Sequence, residues 1–390
     1  MQHRAQPGGA EEVEHARSLV ERCCVGRRIN RVVATEQGGG PRDGLEDDLI
    51  LCDGGAASIQ RALAAGRKLL ASRRKGKYLW WELDGGGATK GGGGAGAAVD
   101  MWPVFHFGMT GAFKVHGVGA LHYKDFAVDD TQFPPRFTKL EVFFESGVRL
   151  AFVDPRRIGR VRLRPAPAAA AHAADASTFV RAHAPLSTLA PDPFERAGRG
   201  DAAYGGAAGV AAFARALART RAPVKAALLD QTKVCCGVGN WIVDDACFMA
   251  GIHPSSPADA VAADPGGAAA RLHDAVATIC AEACAVDAVS ARFPEGWLFH
   301  VRWGRTKKHQ LPDGKRVSFT KVAGRTTAIV ASVQKKITMR KAGGAGGSRS
   351  SSAGRGAAGK SAAGKKGGKK RAAASTAAPP ERKKKKGKRK

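Results

Sequence analysis

The sequence contains no uninterrupted apolar run of about 18 residues, the length that a membrane-spanning helix requires. Its first 30 residues also lack the hydrophobic stretch of a secretory signal. These two absences predict a soluble, intracellular protein with no membrane partner.

Closely spaced cysteine pairs of the zinc-binding type are also missing. The eight cysteines are residues 23, 24, 52, 235, 236, 247, 280 and 284, and no two of them form a Cys-x-x-Cys. Paired zinc-knuckle spacing is therefore absent, and we predict no metal site. Cys280 and Cys284 lie one turn apart in a helical pattern, which is typical of buried thiols in a reducing compartment.

Acidic residues are scarce relative to basic ones. The chain has 63 Lys and Arg against 34 Asp and Glu, a net charge of +29. This excess favours a polyanionic partner, nucleic acid before membrane. Residues 341–390 carry 17 basic residues and one acid among Ala, Gly and Ser, so we expect a disordered basic tail. Its end, "ERKKKKGKRK", suits nuclear import or nonspecific phosphate binding, and a merely solubilising tail is the alternative.

The rest of the chain changes its periodicity twice. Residues 28–165 show strand patterns, with Ser146-Gly147 as a hairpin signal and a Gly-rich surface loop predicted at 84–100. Helical periodicity runs from 209 to about 290, and strand patterns return after Trp297 with a turn at 312–314. The sequence predicts a β-rich domain, a helical domain and a short β hairpin, in an α+β multidomain fold.

One stretch combines a glycine-bearing turn with a helix start. Gly237-Val238-Gly239 leads into Asn240 and an apolar helix, and Asn is a good N-cap. Free backbone N–H groups at such a helix start can bind a phosphate that glycine lets approach closely. A helix cap without any ligand is the alternative interpretation.

Five blocks in a fixed order resemble the formamidopyrimidine-DNA glycosylases, the bifunctional base-excision repair enzymes. The blocks are "SRRKGKYLWWEL", "HFGMTG", "DPRRIG", "LLDQ…GVGNWI.D…AGIHP" and "AGRTT". The resemblance spans roughly residues 8–335, and the last block is similar to the plant and algal branch, whose finger lacks zinc. It implies an N-terminal β-sandwich with flanking helices and a catalytic role, a helix–two-turn–helix domain, a zincless β-hairpin finger and no cofactor. The boundaries we expect are 8–165 for the sandwich, 166–203 for an Ala/Pro-rich linker, 204–292 for the helical domain and 293–335 for the finger.

The resemblance assigns phosphate contacts near the lesion to four residues. Lys77 matches a lysine that contacts a lesion-site phosphate and transfers a proton during strand elimination, although a solvated charge run would also explain it. Asn240 matches a clamp on the flanking phosphates. Arg325 matches the fingertip arginine, whose guanidinium fork grips phosphate. His106 matches a further phosphate contact, with a satisfied core histidine as the alternative.

The resemblance also implies that the damaged nucleotide leaves the duplex, which costs a few kcal/mol of stacking. Met109 and Arg156 match two of the three wedge residues that fill the gap, as an apolar filler and a cation facing the orphaned cytosine. The third position is normally Phe and here is Ile158, which puts lesion discrimination in doubt more than DNA bending. Arg157 and Lys225 are further DNA contacts by the same resemblance.

The family's nucleophile has no counterpart in this sequence. The family begins Pro-Glu-Leu-Pro-Glu-Val-Glu, and the secondary amine of its N-terminal proline attacks the sugar while the adjacent Glu handles protons. Here Glu12-Val13-Glu14 matches the end of that motif, which places Gly8 at the nucleophile and Gly9 at the catalytic acid. Pro7 follows Gln6, so its nitrogen is an amide and cannot form an iminium.

Three explanations stand for this departure: a wrongly assigned first exon, a DNA-binding pseudoenzyme, or proteolysis that exposes Pro7. The sequence thus predicts a monomeric nuclear glycosylase and abasic-site lyase acting on double-stranded DNA with oxidised bases or abasic sites. The alternative is a noncatalytic binder of such DNA. A ribosomal or chromatin protein would explain the charge but not the "HFGMTG", "DPRRIG" and "AGRTT" blocks together.

Overall fold

The fold is known from a computed structural model that describes residues 9–85, 100–118, 132–167, 176–194, 202–303 and 309–339. Gly8, most of the predicted Gly-rich loop and the basic tail lie outside the described residues. The helices are α1 Ala10–Cys23, α2 Gly55–Ala62, α3 Ala176–Arg181, α4 Gly206–Ala218, α5 Val224–Leu229, α6 Asn240–Met249, α7 Ala258–Ala262 and α8 Ala268–Ala285. The strands are β1 Ile29–Val33, β2 Leu69–Lys75, β3 Tyr78–Leu83, β4 Met101–His106, β5 Ala112–Val115, β6 Thr138–Phe144, β7 Arg149–Val153, β8 Arg160–Pro165, β9 Ser318–Val322 and β10 Arg325–Ile329.

The first eight strands form two four-stranded antiparallel sheets. Their strand orders are β1-β6-β7-β5 and β2-β3-β4-β8. Successive side chains of a strand point to opposite faces, so neighbouring tryptophans in β3 enter different layers. Trp81 meets Phe113 and Phe144 of the other sheet at ring-centroid distances of 5.6 and 6.4 Å. The predicted β-sandwich is therefore confirmed, and α1 and α2 pack beside it.

The predicted hairpin at Ser146-Gly147 is also confirmed. It joins β6 to β7, and both residues have positive φ, 61° and 72°. Glycine adopts that conformation without strain, which explains its use at the second position.

The Ala/Pro-rich segment is a packed part of the molecule rather than a simple linker. In its described part, Val180 and Leu186 are fully buried in the core of the sandwich, and Phe194 joins the core of the helical domain. Asp192 in the same segment accepts hydrogen bonds from Arg74 and Gly76. Composition alone did not reveal these contacts, because each one joins the segment to residues far away in sequence.

Helices α4–α8 form the helical domain, around a core that includes Trp241, Ile242 and Leu272. The connection from α5 to α6 spans residues 230–239, where the helix–two-turn–helix pattern predicts turns; Thr232 and Lys233 are exposed, and residues 234–239 are buried. The polypeptide then forms the β9–β10 hairpin, whose small core contains Leu298, Val317 and Ala328. The order sandwich, helices, hairpin confirms the predicted α+β fold.

Among the described residues, no helix has both the length and the apolar character needed to cross a bilayer.

Candidate active site and nucleic-acid interface

The start of α1 holds a buried carboxyl group. Ala10 N donates to Gly237 O over 2.8 Å, which ties the helix start to the turn before α6. The Glu11 side chain folds back so that Oε1 accepts from Gly9 N at 2.8 Å and from Trp241 Nε1 at 3.1 Å. Glu11 is 0% exposed, and burial, reinforced by the charge of Glu12, raises its pKa to about 7.

This carboxyl lies where a side chain on residue 9 would have to be. A Cβ on Gly9 would stand 2.2 Å from Glu11 Oε2 and 2.4 Å from Ile242 Cδ1. Gly9 is the residue that matches the catalytic acid. The space that a side chain on Gly9 would enter is occupied by the carboxyl of Glu11. Gly8 lies outside the described residues.

Lys77 lies in the turn of the β2–β3 hairpin. Lys75 pairs with Tyr78, so Gly76 and Lys77 form a two-residue turn, and Gly76 has φ +57°. Strand β3 begins at the next residue, Tyr78. The turn is nevertheless fixed, since Asp192 Oδ2 accepts from Gly76 N at 2.7 Å and from the buried Arg74 at 2.6 Å.

The surroundings of Lys77 lower the pKa of its amine. Burial lowers its pKa, and Glu11 is the acid that opposes this shift most strongly. Arg325 lowers it further. Across the part of the chain that the structure describes, Lys77 forms no hydrogen bond or ion pair with another side chain.

His106 lies at the end of β4, beside the Lys77 hairpin. Its ring centroid is 4.7 Å from that of Tyr78, and its Nδ1 accepts from Gly108 N at 3.2 Å. Burial, with the positive charges of Lys77 and Arg160, lowers its pKa to about 4. The ring is therefore neutral near pH 7 and carries its proton on Nε2, where it can donate a hydrogen bond to a phosphate oxygen.

The three wedge positions lie on two loops that touch each other. The loop after β4 carries Met109, and the loop after β7 carries Arg156 and Ile158. Gly108 has φ +61°, and a Cβ there would stand 2.7 Å from the backbone of Ile158. The structure therefore brings Met109, Arg156 and Ile158 together, and it leaves Arg156 exposed.

A single buried carboxylate joins those two loops. Asp154 Oδ1 accepts from Thr110 Oγ1 at 2.6 Å and from Arg156 N at 3.2 Å. Its Oδ2 accepts from Gly159 N at 2.6 Å. Because Asp154 is 0% exposed, these bonds are shielded from water and fix the relative position of the loops.

Arg157 has a different environment from Arg156. Its guanidinium makes a bidentate pair with Asp47, at 2.8 and 2.9 Å, and its backbone has φ +56°. The structure thus gives Arg157 a protein partner, and direct contact with DNA would require that pair to open.

Asn240 and Arg325 meet through the β9–β10 turn. Asn240 is the first residue of α6 and the cap is Gly239, so the prediction that Asn240 caps the helix is off by one position. Asn240 Nδ2 donates to Thr326 O at 3.1 Å. Ala323 and Gly324 form the two-residue turn with φ of 51° and 72°, which leaves the exposed Arg325 beside the helix start.

Lys225 does not lie on the surface, which corrects the prediction of a direct DNA contact. Its side chain is 0% exposed and its Nζ donates to Asp244 Oδ1 at 2.5 Å and to Thr326 O at 3.2 Å. Asp244 Oδ2 also pairs with Arg302 at 2.9 Å and accepts from Ala328 N at 2.9 Å. Lys225 therefore stabilises the finger hairpin through a hydrogen bond to the Thr326 carbonyl instead of binding a phosphate.

Comparison with known proteins shows which family shares this arrangement. The profile of the formamidopyrimidine-DNA glycosylase N-terminal domain matches residues 9–161, and that of the formamidopyrimidine-DNA glycosylase H2TH domain matches residues 200–295. A formamidopyrimidine-DNA glycosylase of Arabidopsis thaliana is 32% identical over 325 residues, which cover 83% of this chain and 70% of that relative. The chain belongs to the formamidopyrimidine-DNA glycosylase family. The function of this family is that of DNA glycosylases in base-excision repair.

A second relative agrees with this result, and two solved structures show the same fold. The formamidopyrimidine-DNA glycosylase of Parafrankia sp. (strain EAN1pec) is 30% identical over 285 residues, covering 72% of this chain and 78% of the relative. The Lactococcus lactis enzyme, solved non-covalently bound to DNA with an abasic site, has a TM-score of 0.58 at 20% identity over 84% of this chain and 100% of its own. The Thermus thermophilus protein has a TM-score of 0.55 at 26% identity over 84% of this chain and 99% of its own.

Three residues that organise this glycosylase-family site were missed by sequence reasoning. Asp154 and Asp244 stand inside quoted family blocks, and that was the available signal, but their burial shows only in the fold. Glu11 is an acid in the first turn of α1, where the helix dipole alone would explain it, and nothing nearby in sequence indicates its contact with Trp241.

Within the described ranges, no group of three or more His, Cys, Asp or Glu side chains could hold a metal ion. All eight cysteines are free thiols, and the sequence has none after Cys284, so the finger hairpin contains no cysteine. The small core of the finger packs against α6 and its neighbours through Leu298, Ala328 and Val330.

Proposed function

We propose that this chain acts on double-stranded DNA containing oxidised purines or abasic sites, excising the purine and cleaving the strand through a Schiff-base intermediate. The observation that supports this most is the convergence of Lys77, His106, Asn240 and Arg325 from three separate parts of the fold. Each of these side chains can bind a phosphate oxygen, and clustered phosphate contacts position a duplex without reading its sequence.

The two loops joined by Asp154 support the base-flipping step. Exposed Arg156 and half-buried Met109 lie on the two loops that Asp154 joins, and they offer the cation and the apolar filler that can replace an extruded nucleotide. Ile158 supplies apolar volume in the same place but no aromatic face for stacking. We therefore expect lesion preference to be broader than in relatives with an aromatic residue there.

A second candidate function, noncatalytic binding of damaged DNA, is favoured by one specific observation. Gly9 has no side chain, and the space that a side chain would enter holds Glu11 Oε2 and Ile242. The phosphate-binding residues and the wedge loops do not depend on residue 9, so a chain without the Pro-Glu pair would still bind the lesion.

The deciding experiment compares two proteins on duplexes with one formamidopyrimidine, one 8-oxoguanine or one tetrahydrofuran abasic analogue. The first is the full chain, and the second is a version in which Pro-Glu replaces residues 1–9 so that proline is N-terminal. Both should bind the abasic analogue at least about tenfold more tightly than an undamaged duplex. Purine release by the Pro-Glu version alone would support a glycosylase fold lacking its nucleophile, whereas equal binding of damaged and intact duplexes would refute the proposal.

We also propose that the protein acts as a monomer in the nucleus. The support is the lysine-rich C-terminal sequence, which suits an import signal. Imaging of the full chain and of a chain ending at Arg340 tests the location, and sedimentation with and without DNA tests the oligomeric state.

A further inference from the structure

The carboxyl of Glu11 has one oxygen without a partner. Oε1 accepts two hydrogen bonds, but Oε2 is buried and has no hydrogen-bond partner among the described residues. A buried acceptor without a donor reduces the free energy of unfolding by roughly 1–3 kcal/mol. A protonated carboxyl can instead use that oxygen as a donor to an incoming molecule.

The amine of Lys77 complements this carboxyl. The start of α1, the Lys77 turn and the turn before α6 meet at glycines: a Cβ on Gly76 would stand 3.0 Å from Cys236 Sγ, and one on Gly237 would stand 2.8 Å from Ala10 Cβ. This close packing holds residue 11 and residue 77 on adjoining backbone segments. Glu11 is the acid that acts most strongly on the pKa of Lys77, and Lys77 acts on the pKa of Glu11 less strongly than Glu12 does. Desolvation and a neighbouring cation are the usual means by which a protein activates a Schiff-base lysine, and burial and Arg325 act on Lys77 in this way, while the charge of ionised Glu11 acts against it.

We propose that Lys77 Nζ and the Glu11 carboxyl together cleave DNA at preformed abasic sites, replacing the N-terminal amine and the acid that the family places at residues 8 and 9. This inference rests on the proposed function, because the DNA contacts must first deliver the abasic sugar to the Lys77 turn. It narrows the substrate of the chain to the open-chain aldehyde of an abasic site.

The chemistry balances with these two groups and the substrate alone. Neutral Lys77 Nζ adds to the C1′ aldehyde and gives a carbinolamine. The carboxyl proton of Glu11 passes to the carbinolamine hydroxyl, which leaves as water, and a protonated Schiff base and a carboxylate remain. The carboxylate then takes a C2′ proton, the C3′–O bond breaks, and the 3′ phosphate leaves with that electron pair. Water hydrolyses the imine of the unsaturated aldehyde and returns Lys77 as a free amine.

The pH profile of this pair depends on the groups around it. Its titratable or charged neighbours are Glu12 on α1, Cys236 before α6, Cys280 and Cys284 on α8, and Arg325 of the finger. The cysteine thiols are protonated near neutral pH, because burial raises the pKa of Cys236, Cys280 and Cys284 above the usual value. Cleavage should therefore rise as Lys77 loses its proton and fall as Glu11 loses its own.

The test is borohydride trapping of the full chain on duplex DNA with a natural abasic site, followed by peptide mapping of the adduct. We expect the adduct on Lys77, and Lys77→Arg should reduce trapping at least about a hundredfold because a guanidinium is not a nucleophile at neutral pH. Lys75→Arg, on the same hairpin, is the matched control and should trap normally. An adduct on the Met1 amine or on a lysine of residues 341–390 would overturn the proposal.

The role of Glu11 needs its own variant. Glu11→Gln keeps the oxygen that accepts from Gly9 and Trp241 and removes the proton, so trapping should fall at least about tenfold and lose its decline above pH 7. Glu21→Gln, on the exposed side of α1, should leave the rate and profile unchanged. Trapping by Glu11→Gln with an unaltered pH profile would overturn the role of the acid even if the rate falls through misfolding.

A second readout distinguishes this inference from the proposed function. The tetrahydrofuran analogue has no aldehyde, so its binding reports on the DNA contacts alone. Preferential binding of the analogue without any adduct on natural abasic DNA would refute the Lys77–Glu11 pair and leave the lesion-binding part of the proposed function standing. Loss of preferential binding would refute both.

Discussion

Glu11 shows how one side chain couples chemistry to stability. Burial raises its pKa from 4.5 to about 7, so between those values the folded chain keeps a proton that the unfolded chain has released. In that window the folded state binds more protons, and stability falls as pH rises. The contribution of the group is therefore complete below about pH 4.5 and is lost as pH rises through 7.

Glu11→Gln should remove this dependence. Glutamine cannot ionise, so relative to the native chain the variant should gain roughly 3 kcal/mol of unfolding free energy between pH 4.5 and pH 8. Urea unfolding of both proteins at these two pH values measures the difference. Glu21→Gln should show no such change, and a constant offset between Glu11→Gln and the native chain would contradict the assigned pKa shift.

The sequence could identify Lys77 but not its partner. Lys77 stands in a family block, and its type and place indicate phosphate or proton chemistry. Glu11 looks like any acid in the first turn of a helix, where it would favour the helix dipole. Its burial depends on Trp241, which is 230 positions away, and no local pattern carries that information.

The two wedge loops come from different strands and are held together to form one part of the candidate site. Each loop leaves a different sheet: β4 belongs to one and β7 to the other. The hydrogen bonds to Asp154, the close approach of Gly108 to Ile158 and the pairing of β4 with β8 at His106 and Arg160 fix the two loops relative to each other. A buried carboxylate that accepts three bonds holds such a joint more firmly than apolar contact between loop tips would.

Asp154→Asn should therefore loosen the joint without removing any DNA-binding side chain. We expect a loss of roughly 2–4 kcal/mol in unfolding free energy, because an amide replaces one accepting oxygen with a donor. The preference for an abasic over an intact duplex should fall about tenfold, since the wedge residues lose their alignment. Chemical unfolding and competition binding measure the two effects.

The control for that prediction is Asp274→Asn, an exposed acid on α8 whose side chain is 61% accessible. It should change neither quantity. An Asp154→Asn protein that is destabilised but retains full preference for abasic DNA would show that the wedge loops do not depend on this joint.

The finger hairpin depends on a buried ion network that sequence patterns did not reveal. Lys225 was predicted to contact DNA on the family resemblance alone. Its partner Asp244 is 19 positions away and the Thr326 carbonyl is 101 positions away, so the fold must exist before the burial of Lys225 is apparent. Strand and helix order, in contrast, follows from local periodicity and was predictable.

Lys225→Met and Arg325→Gln should distinguish a residue that stabilises the finger hairpin from one that contacts a DNA phosphate. Lys225→Met leaves Asp244 with fewer partners and should cost roughly 2–4 kcal/mol of stability while the salt dependence of DNA binding stays unchanged. Arg325→Gln should change stability by less than about 0.5 kcal/mol and reduce the slope of log K against log salt by about 1. Equal slopes for the two variants would contradict the assignment of Arg325 as a phosphate contact.

For the whole molecule, charge is divided between a described body and a basic tail that the described residues do not include. Residues 341–390 hold 17 of the 63 basic residues and one acid. Such a segment contributes nonspecific attraction to any phosphate chain, whereas under the proposed function the body carries the groups that distinguish a lesion. Affinity and discrimination should therefore be separable in this protein.

A chain ending at Arg340 tests this separation. Its affinity for undamaged duplex should fall at least about tenfold at low salt, and its salt slope should become shallower by several units, because each lost phosphate contact removes nearly one released counterion. The abasic preference and the unfolding midpoint should not change, since the tail composition offers no apolar surface to bury. A full-length chain with a scrambled tail should behave like the native one, because only the charge matters in this account. A lower unfolding midpoint on truncation would instead mean that the tail packs on the body and that its sequence, not only its charge, contributes to the fold.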